Sequence, residues 1–413
     1  MIVKTTRYLM IFITILVASI YLPNMYWKIF DINVRIPMIL YSPVINQFLI
    51  FRPAETVKYT DQVGNKYTRD KFESLEPIFY YRQLVATEKM PDSLRGIKLD
   101  LSLLRLNNFR IKITPPNLTL PQIKLFPMLE SKSGRASLEM PSDVFRITNK
   151  RIEFIDCTSN TIDEEKSDLF TTALIKEEFS FPAKFIYGNP TTRKAFDEGY
   201  FVVDNADQIF HIKMVKGRPF CKNIRASESI KVKSMMIAES SLKEFYGIIL
   251  TENDEIFMIT YKNYKLKKLP ITGYNSSNTT LVFRGDIFFR YAILTNSDSL
   301  KVFMLTKNYK VFDTYYEPIQ NVKKMGIGTA ATYIFPFRIG LGNQYSYLIN
   351  LDFECSGFSF LILNIFLVLI SMGLYIKRGL SLKKGILDFI IVLVTGIYGI
   401  IAINIFIPFD KTK

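Results

Sequence analysis

The segment Gly188-Asn-Pro-Thr-Thr-Arg-Lys-Ala-Phe-Asp-Glu-Gly199 gathers turn formers, two hydroxyls and charges of both signs. Asn189, Thr191, Thr192, Arg193, Asp197 and Glu198 are its candidate contact residues. Amide, hydroxyl, guanidinium and carboxylate groups on one loop can hydrogen-bond a ligand or a partner surface. The competing expectation is a structural connection between strands. Bond-making chemistry finds little support. The chain has a single histidine, His211, within alternating strand-like sequence, and packing is its expected role. Gly326-Ile-Gly328 and Gly340-Leu-Gly342 lack the strand-to-helix setting of a nucleotide loop. Cys157, Cys221 and Cys355 have no metal-ligand spacing, and the first two are expected as buried free thiols. No catalytic residue, metal or cofactor is therefore assigned.

The loop must be held by strands. Asp207-Gln-Ile-Phe210-His-Ile, Asp254-Glu-Ile-Phe257-Met-Ile and Val302-Phe303-Met-Leu align, their phenylalanines 47 and 46 residues apart. Lys262-Asn-Tyr-Lys265 and Lys307-Asn-Tyr-Lys310 extend the last two. Each segment follows an apolar run (Tyr200-Phe-Val-Val, Tyr246-Gly-Ile-Ile-Leu, Tyr291-Ala-Ile-Leu) and a polar turn, which is hairpin chemistry. A period near 45 residues is the size of a four-stranded propeller blade. Residues 140–356 are thus expected to form a β-propeller-like domain. Its first blade would carry an inserted helix near 163–179, and flanking hairpins would lie at 145–154 and around Tyr333 to Ile349. Residues 28–139 read as a separate α+β subdomain. It holds a hairpin turning at Gly64-Asn65, then a helix capped by Thr68 that restarts at Pro77 and turns Phe72, Leu75, Phe79 and Leu84 inward.

The chain ends are apolar. Residues 8–27, 357–376 and 386–408 are expected to span a membrane, one N-terminal helix and two C-terminal ones. Lys377, Arg378, Lys383 and Lys384 fill the 377–385 loop, and Lys4 and Arg7 lie in the 1–7 segment; positive segments stay cytoplasmic. That places residues 28–356 and the 409–413 tail outside. Asp388, beside Lys384, is expected as a solvated interfacial acid or a helix N-terminal charge. The whole chain carries +15, and residues 28–356 hold 45 basic and 36 acidic side chains. Because these charges are scattered, no nucleic-acid partner is expected.

Phe79-Tyr-Tyr-Arg-Gln-Leu84, Leu129-Glu-Ser-Lys-Ser-Gly-Arg-Ala-Ser-Leu-Glu-Met-Pro141, Gly188-Asn-Pro-Thr-Thr-Arg193 with Asp197-Glu-Gly-Tyr200, and Gly217-Arg-Pro-Phe220 resemble an uncharacterised membrane-protein family of the Bacteroidota. Its members are classed only as a domain of unknown function, and their genes tend to lie beside those of an ABC-type ATPase and permease. The resemblance implies a multi-pass protein of the bacterial inner membrane with a periplasmic domain. From it follows the expected function, a non-catalytic accessory subunit of an ABC transporter, with permease, ATPase and lipid bilayer as partners. A stand-alone periplasmic sensor or scaffold is the alternative, and an envelope hydrolase of unknown type the second.

Overall fold

The computed structural model describes residues 2–30, 35–53, 55–119, 123–226, 230–320, 325–341 and 351–408. They form two compact units, Met1–Arg35 with Ile319–Lys413, and Ile36–Pro318. The expected 409–413 tail and the segment Gln344–Ile349 lie outside the described residues.

Mostly β-structure fills the second unit. Three antiparallel sheets follow one another along the chain. The first orders Phe185–Gly188, Tyr200–Val203, Ile209–Val215 and Arg218–Asn223. The second orders Val232–Ile237, Phe245–Thr251, Ile256–Thr260 and Leu266–Lys268. The third orders Thr280–Gly285, Arg290–Thr295, Ser299–Leu305 and Val311–Pro318. The hairpins turn where the sequence repeat places them, pairing Val203 with Ile209, Leu250 with Ile256 and Thr295 with Leu300.

The sheets stack face to face, and the two-residue period of a strand sorts its side chains between neighbours. In the second sheet Phe245, Ile248 and Leu250 meet Leu281, Phe283 and Leu294 of the third. Tyr246 and Ile249 turn the other way, toward Phe201, Val203 and Ile209 of the first. Tyr200, Val202, Phe210 and Ile212 face Phe145, Ile152, Phe154 and the helix Glu164–Lys176. Both faces being covered explains why the inner strands are continuous apolar runs. A closed ring of blades is not found among the described residues.

The inserted helix stands where expected. Asp163 caps it, accepting a hydrogen bond from Lys166 N at 3.0 Å, and Phe170 and Leu174 are buried. Thr68 caps Arg69–Leu75, and Pro77 separates that helix from Tyr81–Ala86. Asp61 Oδ1 accepts the backbone N–H groups of Val63, Gly64 and Asn65, each at 2.9 Å, around the expected turn. Phe79 departs from expectation: it is 40% exposed, beneath the Arg284 guanidinium at 5.1 Å. Cys157 is exposed and Cys221 half-buried; the cysteines are free, and burial pushes the Cys221 thiol up to about 12. The 28–139 region is not self-contained. Its strand Phe109–Ile113 pairs antiparallel with Thr280–Gly285 and becomes the edge of the third sheet.

Among the described residues of the other unit, two helices are long and apolar enough to cross a membrane, Val3–Ile29 and Phe360–Lys377. The third apolar run is broken into Ile386–Thr395 and Ile397–Ile405 at Gly396, where φ is 56°. A Cβ there would meet Asn364 Oδ1 at 2.3 Å, and Asn364 Nδ2 donates to Leu393 O at 2.8 Å. Tyr333 belongs to the helix Gly326–Ile334 rather than to a strand. Gly326 and Gly328 start that helix. Lys377 ends the helix Phe360–Lys377, Arg378 follows as its cap, and Lys383 and Lys384 sit in the tight turn Leu382–Gly385.

Asp388 stands in the first turn of Ile386–Thr395, as expected of a helix N-terminal charge, but it is not solvated. It is fully buried, and Arg7 grips its two oxygens at 3.0 and 2.5 Å while Tyr375 donates to it as well. A carboxylate withdrawn from water needs such partners. They come from 381 and 13 residues away.

Candidate functional site

The loop leaves the strand Phe185–Gly188 and re-enters at Tyr200 through Gly199. Gly199 has φ 65°, and a Cβ there would meet Ile212 O at 2.3 Å, so only glycine fits. Between these anchors the loop folds around a buried ion network. Lys194 Nζ lies 2.6 Å from Asp197 Oδ1, 2.6 Å from Glu239 Oε1 and 2.7 Å from Asn189 O. Glu239 also accepts from Asn189 Nδ2 at 2.9 Å and from Glu198 N at 2.7 Å. Burial still raises its carboxyl above the usual range, against the pull of Lys194. Asp197 Oδ2 accepts Gly199 N at 2.9 Å. Glu198 is held by Lys213 Nζ at 2.6 Å and Tyr261 OH at 2.5 Å.

The six expected contact residues therefore divide. Asn189, Asp197 and Glu198 spend their polar groups inside the protein. Thr191 Oγ1 accepts Arg193 N at 3.1 Å, Thr192 is half-buried, and Arg193 is exposed. His211 is fully buried beneath the same loop, its ring nitrogens against Tyr264 OH at 2.8 Å and Glu198 O at 2.5 Å. It packs, as expected.

Asn189 and Glu239 line one wall of a cleft of about 430 Å³. Arg105, Asn108 and the strand residues Phe109 to Lys112 line the opposite wall. A second hollow of about 310 Å³ shares Asn108, Phe109 and Arg110, and adds Tyr81, Arg82, Arg284 and Asp286. Five basic side chains thus meet two acidic ones. Both acids are engaged internally, Glu239 by Lys194 and Asp286 by Tyr291 OH and the N–H groups of Phe288 and Phe289. The surplus is positive. Tyr81 registers it: hydrogen bonding from Arg82 and Arg105 holds its hydroxyl below the usual range.

Sequence reasoning missed this basic wall because the charges lie scattered along the chain. Its one local signal is the alternation Phe109-Arg-Ile-Lys-Ile113, buried and exposed by turns, which puts Arg110 and Lys112 on one face. Among the described residues the outer edge of that strand pairs with no other strand in the sheet, leaving backbone N–H and C=O groups beside the two cations. The arrangement suits the capture of an anionic group or an extended acidic segment, not proton transfer.

Behind the second hollow lies Glu76, 1% exposed, with Oε2 lacking a hydrogen-bond partner. Burial, then the nearby Asp286, hold its carboxyl well above the ordinary range. The folded state therefore keeps a proton that the unfolded chain releases above pH 4.5, and stability falls as pH rises from there. Glu76→Gln is expected to abolish that decline. At pH 8 it should be more stable than the wild type, because glutamine has no proton to lose. Thermal melts at pH 5 and 8 check this; identical pH dependence in the two proteins would refute it.

A family model described as a domain of unknown function, DUF4857, matches residues 38–305. The chain belongs to the DUF4857 family. The match covers the three stacked sheets up to the end of Ser299–Leu305 and the whole basic cleft. No curated protein matches the chain. Among solved structures, the DUF4857 chain is similar to PorZ, described as an essential bacterial surface component of the type-IX secretion system of Porphyromonas gingivalis. The identity is 10%, the alignment covers 71% of this chain and 28% of that one, and the TM-score is 0.22. The DUF4857 chain thus spans little more than a quarter of PorZ, and a score this low carries no argument about fold or role.

Proposed function

We propose that this chain is a non-catalytic, membrane-anchored accessory subunit of an ABC-type transport system, which receives an anionic partner or ligand in the cleft between Phe109–Ile113 and the 188–199 loop. In this reading Val3–Ile29, Phe360–Lys377 and the broken 386–405 pair are three spans. The basic turn around Lys377, Arg378, Lys383 and Lys384 stays cytoplasmic, and the propeller-like stack of sheets is periplasmic. The basic wall of the cleft carries the binding role: Arg105, Arg110 and Lys112 stand beside an unpaired strand edge, where backbone and charge can recognise one extended acidic segment together. The transport system rests on the family resemblance in the motifs from Phe79 to Phe220. Thr191, Thr192 and Arg193 are the part of the loop left to meet a partner.

Co-purification from native membranes tests the proposal. The full chain should bring down an ABC ATPase and its permease, and the charge reversal Arg105→Glu/Arg110→Glu/Lys112→Glu should reduce their recovery at least tenfold. These are exposed residues, so the melting temperature should move little. Recovery of neither transporter subunit with the wild type, or full recovery with the variant, would overturn the proposal.

A further inference from the structure

The basic cleft does not end where its charges do. Beyond Lys112 and Asn189 it continues into a hollow of about 220 Å³, and Met236 and Ile237 line both. The wall of the hollow is built of Ile113, Leu118, Phe126, Ile186, Tyr200 and Met235. Among the described residues no charged side chain lines it. The Tyr200 hydroxyl is spent on Pro127 O at 2.6 Å and the Tyr187 hydroxyl on Lys233 O at 3.3 Å, which leaves their rings to the hollow. Leu118, Phe126 and Met236 are only half-buried, so apolar surface stays open there. Two bare strand edges border the groove. Among the described residues neither Phe109–Ile113 nor Val232–Ile237 pairs with a strand on its outer side.

We propose that the partner taken into this groove is an extended peptide segment that sets acidic residues beside a leucine-sized apolar side chain. The acids meet Arg105, Arg110 and Lys112, and the apolar residue enters the hollow beyond Ile113. The cations supply the charge complementarity that carboxylates need. The bare edge of Phe109–Ile113 offers backbone N–H and C=O groups, which an added strand satisfies and an acyl chain does not. An extended segment advances about 3.3 Å per residue, so a side chain passing Ile113 stands only a few positions from one beside Arg110. The hollow is smaller than the roughly 300 Å³ of pockets that enclose a whole small molecule, and suits a single side chain. The inference rests on the anionic reading of the cleft, to which it adds an apolar half, and not on the transporter assignment.

The test uses the full chain purified in detergent and labelled synthetic peptides, with binding read as fluorescence anisotropy. One peptide carries a run of glutamate and aspartate between leucines. A second has serine in place of leucine, and a third keeps leucine but has serine in place of the acids. The first should bind about tenfold tighter than the second, the order expected for burial of one leucine side chain, and the third should not bind. Leu118→Asn/Met236→Gln removes apolar wall at nearly constant volume. It should lower the first peptide's affinity to that of the second and leave the second unchanged, which is the control for folding. Ser234→Trp, which fills the hollow instead, should have the same effect. Arg110→Glu/Lys112→Glu should lose both acidic peptides. Equal affinity of the wild type for the first and second peptides would overturn the inference and leave the anionic cleft standing. Failure of both to bind would overturn the reading of the cleft itself, and the inference with it. Equal binding of the first and third would mark a purely apolar site, and a leucine preference kept by both hollow variants would place the contact elsewhere; each overturns the inference. So would self-association of the chain that the first peptide does not reverse, which would assign the groove to a second copy.

Discussion

Replacing Lys194 with methionine is expected to cost about 3–5 kcal/mol of stability, the loss seen when one partner of a buried ion cluster is removed. The ammonium group is 6% exposed and sits between Asp197 and Glu239, themselves 4% and 1% exposed. Methionine conserves most of the side-chain volume, so the cost is electrostatic rather than a cavity. Two carboxylates would face each other without a counter-charge, and Asn189 O would lose its donor. Urea titration of the full chain in detergent, followed by β-sheet circular dichroism, measures the effect. The companion Lys194→Met/Glu239→Leu should recover part of it, since matched removal of both charges leaves fewer groups unpaired. A loss below about 1 kcal/mol for Lys194→Met would mean that water reaches the network, contrary to the packing described.

Acidification should destabilise the protein through His211. Burial holds its imidazole down to about 4, with Lys213 adding to the effect and Glu198 opposing it. The folded state therefore refuses a proton that the unfolded chain accepts below about pH 6.5. The His211 contribution is intact above pH 6.5 and drains away as pH falls toward 4, by about 3 kcal/mol in all and about 2 kcal/mol by pH 5. The repeat supplies the control. His211, Met258 and Met304 occupy equivalent positions of the three aligned strands, and all are fully buried. His211→Met places the residue of the other two repeats in the first. The variant should gain stability relative to the wild type as pH falls from 6.5 to 5, over a background that Glu76 tilts the same way in both proteins. An unchanged slope in the variant would show that His211 is not the group responsible.

Local features were legible in the sequence wherever one stretch contains its own explanation. The hairpins at Asp204, Thr251 and Asn296, the cap at Asp163 and the break at Pro77 are set by residues within a few positions of each other. The stacking was half legible. Tyr200-Phe-Val-Val and Tyr246-Gly-Ile-Ile-Leu read as strands, but coverage of both faces depends on partners that a single strand does not reveal. What escaped altogether is long-range pairing. Arg7 and Asp388 stand at opposite ends of the chain, and the neighbouring Lys384 suggested a solvated acid instead. Loop 188–199 was singled out by its composition. The residues that turn its acids inward, Glu239, Lys213 and Tyr261, arrive from other strands, so the sequence could not show how much of the loop is consumed by the fold.

The strand Phe109–Ile113 takes its ladder from Thr280–Gly285. During synthesis it is made long before that partner exists, and the first two sheets are complete in the interval. Pairing with that partner closes a loop that encloses most of the domain. The strand that carries Arg110 and Lys112 thus gains its ladder last, and a chain truncated before residue 280 would leave it without one.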